Sequence, residues 1–201
     1  MPTLVTVHSG STVVAGNVTG SYQSFAGLTG SNISSSFLIF TTRVDSNQPL
    51  NHLFSGKIHN SNTLRFHKNG TTGANPATIN WQVAEFQSGS GVVVYRGEKI
   101  FPVATPANAL IPLPYTYDLT KSFPISTYSM SGSGMGEDDN ILTRFSSSTD
   151  LFITNEMGSV LPSHLGGDGP LMWETVEYSN CIVQTGSIFF NDVSFNIALG
   201  N

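Results

Sequence analysis

The chain has 201 residues and a formal net charge of −5, and only 10% of its residues are charged. Its eight Lys and Arg are scattered from Arg43 to Arg144 and form no basic stripe for a phosphate backbone, so nucleic acid is not an expected partner. A single cysteine, Cys181, excludes an internal disulfide and a cysteine-based zinc site; no basic segment followed by an apolar one opens the chain, and no stretch approaches the length of a membrane-spanning helix.

Taken in order, the chain consists of short runs rich in β-branched and aromatic residues, separated by Gly, Asn, Ser and Pro, and this pattern predicts an all-β protein. Strands are expected over residues 3–8, 12–18, 36–42, 53–59, 63–67, 78–86 and 92–96, about the number in an immunoglobulin-like sandwich. Short polar stretches at 59–62 and 146–148 suit tight hairpin turns. Pro102, Pro106, Pro112 and Pro114 then forbid regular helix or a central strand and mark a connector.

The elements beyond the connector echo those before it. Trp81-Gln82-Val83-Ala84-Glu85-Phe86 returns as Trp173-Glu174-Thr175-Val176-Glu177-Tyr178, around the only two tryptophans of the chain. A Val-x-x-Gly signal follows each copy, at Val94-Tyr95-Arg96-Gly97 and Val183-Gln184-Thr185-Gly186, with an earlier relative at Val7-His8-Ser9-Gly10. Sliding the chain by about 87 positions lays Phe54, Lys57, Ile58, Leu64 and Phe66 over Ile141, Arg144, Phe145, Leu151 and Ile153. The expected architecture is therefore two tandem, duplicated antiparallel β-sandwich modules, immunoglobulin-like or jelly-roll-like, at 1–104 and 105–201.

Strand periodicity places Trp81, Val83 and Glu85 on one face, with Thr175 and Glu177 beside Trp173 in the second copy. A carboxylate next to a core needs a partner, because an unpaired buried charge costs several kcal/mol. Lys57 is expected to pair with Glu85 and Arg144 with Glu177.

Residues able to carry chemistry are few. His52, His59 and His67 fall on separate strands and loops and have no counterparts in the second copy, so their spacing does not define a metal site. The acidic run 136–140 lacks the ligand alternation of a calcium loop, and the Gly-rich run 131–136 lacks a following crossover helix that would make it a phosphate cradle. His164 and Asp168 do not make a triad on spacing alone, and Glu85 with Glu177 are duplicated positions expected to perform one structural task twice rather than to form a catalytic pair. No catalytic, cofactor-binding or metal-binding residue is assigned, and no enzyme is expected. Cys181, in an apolar run, reads as a buried small hydrophobe.

The Trp-Gln-Val-x-Glu-Phe strand followed by Val-x-Arg-Gly resembles the repeated β modules in structural proteins of tailed-bacteriophage virions. Residues 36–97 carry that pattern most fully, and residues 122–186 carry it with Thr175 for the central Val and Thr185 for the Arg. The resemblance implies a non-enzymatic virion component: a capsid decoration or cement protein, or another head- or tail-associated accessory. Its partners would be other virion proteins, with a homo-oligomer also possible, and its location the virion, assembled in the host cytoplasm. The terminal segments 4–8 and 194–199 or the connector would supply the interface. The alternative expectation is a receptor- or carbohydrate-binding adhesin module, with Tyr115, Tyr117 and Tyr128 as the rings available for stacking on sugars.

Overall fold

A computed structural model describes residues 4–15, 21–26, 32–45, 52–68, 76–101, 108–129, 141–155, 170–180 and 182–183. Within them the chain forms the strands β1 (Leu4–Val14), β2 (Ser21–Ala26), β3 (Ser36–Val44), β4 (Phe54–Asn60), β5 (Thr63–Lys68) and β6 (Ala77–Phe86). These are followed by β7 (Val92–Lys99), β8 (Asn108–Pro112), β9 (Ser122–Thr127), β10 (Ile141–Ser147), β11 (Asp150–Asn155) and β12 (Leu171–Tyr178). The described residues contain no α-helix, only a 3-10 turn at Ile33–Ser35 ahead of β3, so the all-β expectation holds.

The strands pair into four antiparallel three-stranded sheets, in the orders β1-β6-β3, β2-β5-β4, β7-β12-β9 and β10-β11-β8. In the first half the partners are the first and last strands, then the second and fifth, with the third and fourth at the edges. This is the order of a jelly-roll wrap rather than of an immunoglobulin sandwich. The second half, β7 to β12, has the same order. A cut near residue 104 would part β7 from its ladder partner β12; by hydrogen bonding, the Val94-x-x-Gly97 signal opens the second set of strands, and the sets divide at residues 87–91.

Two cores fill the spaces between sheets. Val14, Leu38, Val44, Ile79, Trp81 and Val83 from β1-β6-β3 meet Phe54, Ile58, Leu64 and Phe66 from β4 and β5. In the second half Leu171 and Trp173 meet Ile111, Leu151 and Ile153. The period-two reading of β6 is correct: Ile79, Trp81 and Val83 are buried while Asn80 and Gln82 are exposed.

The Val-x-x-Gly signal has a packing cause. Gly10 lies opposite Trp81 in the β1-β6 ladder and Gly97 opposite Trp173 in the β7-β12 ladder. At both glycines an added Cβ would stand 2.5 Å from the indole Cζ2. The glycine is absent of side chain because the ring of the neighbouring strand lies across it. Gly10 therefore does not divide β1, and the two short strands expected at 3–8 and 12–18 are one strand of 11 residues. The strand β2 was not expected at all. Pro112 is tolerated because β8 is an edge strand, where a missing N–H breaks no internal ladder. The hairpins turn at Ser61-Asn62 and at Ser148-Thr149, close to the expected positions.

The geometry predicts that Gly10→Ala and Gly97→Ala each destabilise the fold by ~1–3 kcal/mol, as overpacking does. Trp81→Ala or Trp173→Ala should cost ~3–5 kcal/mol. Urea unfolding monitored by fluorescence of the remaining indole checks both pairs, and a neutral Gly97→Ala would contradict the packing.

Candidate functional site

The face of β7-β12-β9 that points away from the second core carries Arg96, Glu98 and Glu174. Strand β12 is buried on both faces from Leu171 to Val176, including Glu174 and Thr175. Successive ladder rows on the outer face read Arg96–Glu174–Ile125 and Glu98–Met172–Thr127. This face packs against the 3-10 turn, β3 and β4 of the first half.

The contacts are specific. Arg96 Nε donates to Glu174 Oε1 at 3.1 Å, while its Nη1 and Nη2 donate to the carbonyls of Ile33 at 2.7 Å and Ser36 at 2.6 Å. Glu174 Oε2 accepts from the Leu38 amide at 2.8 Å, and the Ile58 backbone also bonds to this carboxylate. One carboxylate thus ties together the open edges of β3 and β4, the two sheets of the first sandwich. Lys57 Nζ reaches Glu98 Oε2 at 2.6 Å, and Thr127 Oγ1 both accepts from Gly56 N at 2.9 Å and donates to Gly56 O at 3.3 Å. Burial raises the Glu174 carboxyl above its usual pKa, and the Arg96 guanidinium and the Leu38 amide pull it back.

Beside this polar lock lies a third apolar cluster, with Phe37 from the first half and Val92, Val94 and Val176 from the second. Phe37 meets Phe123 edge-on at 6.3 Å, and Phe86 meets Tyr178 edge-on at 5.5 Å. The joint therefore combines an aromatic cluster with a buried ion pair.

The same registers place Ser9–Gln82–Ile39 and Ser11–Asn80–Thr41 on the equivalent face of β1-β6-β3. That face is open. Val7, Val13 and Ile39 are 47%, 60% and 53% exposed, whereas Val94, at the position of Val7, is 4% exposed. Ser9, Ser11, Ile39, Thr41, Asn80 and Gln82 line a shallow groove along it.

The expected ion pairs are not those that form. Lys57 pairs with Glu98, not Glu85, and Arg144 stands over the ring of Phe152 at 4.9 Å rather than against Glu177. The two repeated acids instead hold backbone turns. Glu85 Oε1 accepts from Asn32 N at 2.9 Å, and Glu177 Oε2 from Asp118 N at 3.1 Å. Asn32 Oδ1 then accepts from the amide of Ser34, and Asp118 Oδ1 from that of Thr120. Both turns precede an edge strand, β3 or β9. Glu85 also contacts His8 Nε2 at 2.7 Å. The single structural task performed twice is real; the kind of partner the two acids share is a turn amide rather than the expected Lys57 or Arg144, because a strand-end turn offers N–H groups close by.

The histidines do not converge: His59 contacts Arg65 and His67 contacts Ser129. Among the described residues no group of three or more His, Cys, Asp or Glu could hold a metal ion. No helix among them is long and apolar enough to cross a membrane. Of the three tyrosines considered for stacking, Tyr117 is 3% exposed, bonds Thr175 at 2.7 Å, and has its hydroxyl pushed up to about 12 by burial. Tyr128 packs against the second core, and Tyr115 is stacked on Tyr95 at 3.8 Å. They do not form a shared platform. The segments 131–136, 136–140 and 194–199, with His164, Asp168 and Cys181, lie outside the described residues.

Sequence reasoning missed Arg96 and Glu174 as partners. A signal existed: in a chain with 10% charged residues, Gln82 becomes Glu174 and Ser9 becomes Arg96 at matched motif positions. No known protein family, curated protein or solved structure matches the chain.

Two outcomes follow. Glu174→Ala or Arg96→Ala leaves the other charge buried and should cost ~3–5 kcal/mol, while Arg96→Met with Glu174→Leu should recover most of that loss in chemical denaturation. Asp118 is held at about 2, below its ordinary 3.8, first by the Thr120 hydroxyl and then by Lys121. A lowered folded pKa means its contribution is present above 3.8 and lost as pH falls towards about 2. Asp118→Asn, which keeps the turn as Asn32 does, should flatten the melting-temperature decline across that window.

Proposed function

We propose that the chain is a non-enzymatic structural component of a tailed-bacteriophage virion, a capsid decoration or cement protein or another head- or tail-associated accessory. The observation that carries the assembly role is the inequality of two equivalent sheet faces: one is consumed by the joint between halves, and the other stands open with Val7, Val13 and Ile39 exposed. A sheet face that carries exposed apolar side chains suits docking to another protein. The virion setting rests on the resemblance of the Trp-x-Val-x-Glu-Phe and Val-x-x-Gly repeats, which also supports descent of the two halves from one module.

A second reading, a receptor- or carbohydrate-binding module, is favoured by the groove on that face. Ser9, Ser11, Thr41, Asn80 and Gln82 present uncharged hydroxyl and amide groups, the chemistry that matches sugar hydroxyls.

Co-sedimentation of the purified chain with assembled phage particles tests the first reading, with a glycan-array screen run beside it. Saturable particle binding weakened at least tenfold by Ile39→Lys supports the virion role. Glycan binding lost in Asn80→Ala with Gln82→Ala, without particle binding, replaces it by the second reading.

A further inference from the structure

We propose that the open face of β1-β6-β3 takes the free edge strand of a β-sandwich belonging to another protein, holding it by main-chain hydrogen bonds to Thr41 and Gln82. The joint inside the molecule shows what a sheet of this kind receives. The equivalent face of β7-β12-β9 lies on the edges of β3 and β4, and its side chains read peptide groups. Thr127 Oγ1 accepts from Gly56 N and donates to Gly56 O, while Glu174 accepts from the Leu38 amide and bonds the Ile58 backbone. Gly56 and Ile58 are two residues apart on β4, so their outward peptide groups follow the strand repeat of ~6.8 Å.

Ladder register places the same arrangement on the open face. Thr41 lies opposite Asn80 as Thr127 lies opposite Met172, one residue before the tryptophan in each case. Gln82 lies opposite Ser9 as Glu174 lies opposite Arg96. Thr41 and Gln82 thus stand in the diagonal relation of Thr127 and Glu174, spaced for alternate peptide groups of one strand. Val7 and Ile39 repeat Val94 and Ile125, whose side chains pack into the apolar cluster of the joint. Among the described residues the side chains of Thr41, Asn80 and Gln82 make no hydrogen bond, and all three line the groove.

The differences between the faces define the partner. The Gln82 amide offers an acceptor to an N–H and a donor to a C=O, so it grips an edge strand without burying a charge. Ser9 and Ser11 stand where Arg96 and Glu98 do, and no acid there meets a base such as Lys57, so the matching edge is uncharged opposite them. A second copy docking in the manner of the joint would bring Arg144, at the position of Lys57, to that acid-free place. The rings on this face, Phe37 and Phe86, pack into the joint cluster and are not offered to a sugar.

The inference rests on the docking role of this face proposed above, not on the virion setting, and NMR titration of the full chain tests it. The probe is a cyclised hairpin with the sequence of residues 53–68 and Lys57→Ser, which presents the β4 edge that the equivalent face holds. Its addition should shift the side-chain signals of Thr41, Asn80 and Gln82 saturably. N-methylation of the hairpin's Gly56 and Ile58 amides, which point away from β5, should weaken binding by roughly tenfold or more, as should Thr41→Val with Gln82→Leu in the full chain. A paired hairpin that leaves these signals in place, or binds equally well when methylated, overturns the inference. So does a chain that dimerises alone and is dispersed by Ile39→Lys, or glycan binding lost in Asn80→Ala with Gln82→Ala, since the occupant is then a second copy or a sugar. Hairpin binding without particle binding supports the inference and removes the virion setting. Particle binding weakened by Ile39→Lys but not by Thr41→Val with Gln82→Leu keeps that setting and overturns the inference, whether or not the hairpin pairs.

Discussion

The carboxylate of Glu174 is buried, and a charge in that position persists only if it is neutralised and its lone pairs are filled. Arg96 does the first, and the amides of Leu38 and the Ile58 backbone do the second. Those amides belong to β3 and β4, the edge strands of two different sheets. The consequence is mechanical: the second half clamps the open side of the first sandwich, and the guanidinium fixes the 3-10 turn by taking the carbonyls of Ile33 and Ser36. Apolar packing of Phe37, Phe86, Phe123 and Tyr178 supplies area, but the directional bonds of Arg96 and Glu174 select one orientation.

Around that joint the two halves share local solutions and differ in exposed ones. Each buries its indole across a strand glycine, and each spends a strand-end Glu on the first amide of a turn that leads into an edge strand. These positions answer to the interior, where the geometry is the same in both halves. The outer faces answer to different neighbours. One carries Arg96, Glu98 and Glu174 against a protein surface, and the other carries Ser9, Ser11 and Gln82 against whatever lies outside. Two of the ion pairs in a chain so poor in charge, Arg96 with Glu174 and Lys57 with Glu98, are thus placed where one half meets the other.

Several elements were legible because their determinants are local. Alternating burial along β6, the hairpin turns near Asn62 and Ser148, and the all-β class follow from side-chain period and turn chemistry. The division of β1 at Gly10 was misjudged because a glycine in a strand reads as a break unless the ring lying over it is known. Lys57 was assigned to Glu85 because motif spacing relates residues within one half, whereas its acid, Glu98, comes from the other. Glu174 was passed over for the same reason, since its partner Leu38 is 136 residues away in the chain and Ile58 also belongs to the other half.

By itself the sequence determined the all-β class, the repeated motif with its paired Trp and Gly, and the scarcity of charge, since each is a property of composition or of short spacing. Only the tertiary structure decided which of two equivalent faces is covered, which base meets which acid, and where the strand sets divide. Those depend on how one sandwich lies against another, and contacts between distant segments leave no periodic trace along the chain.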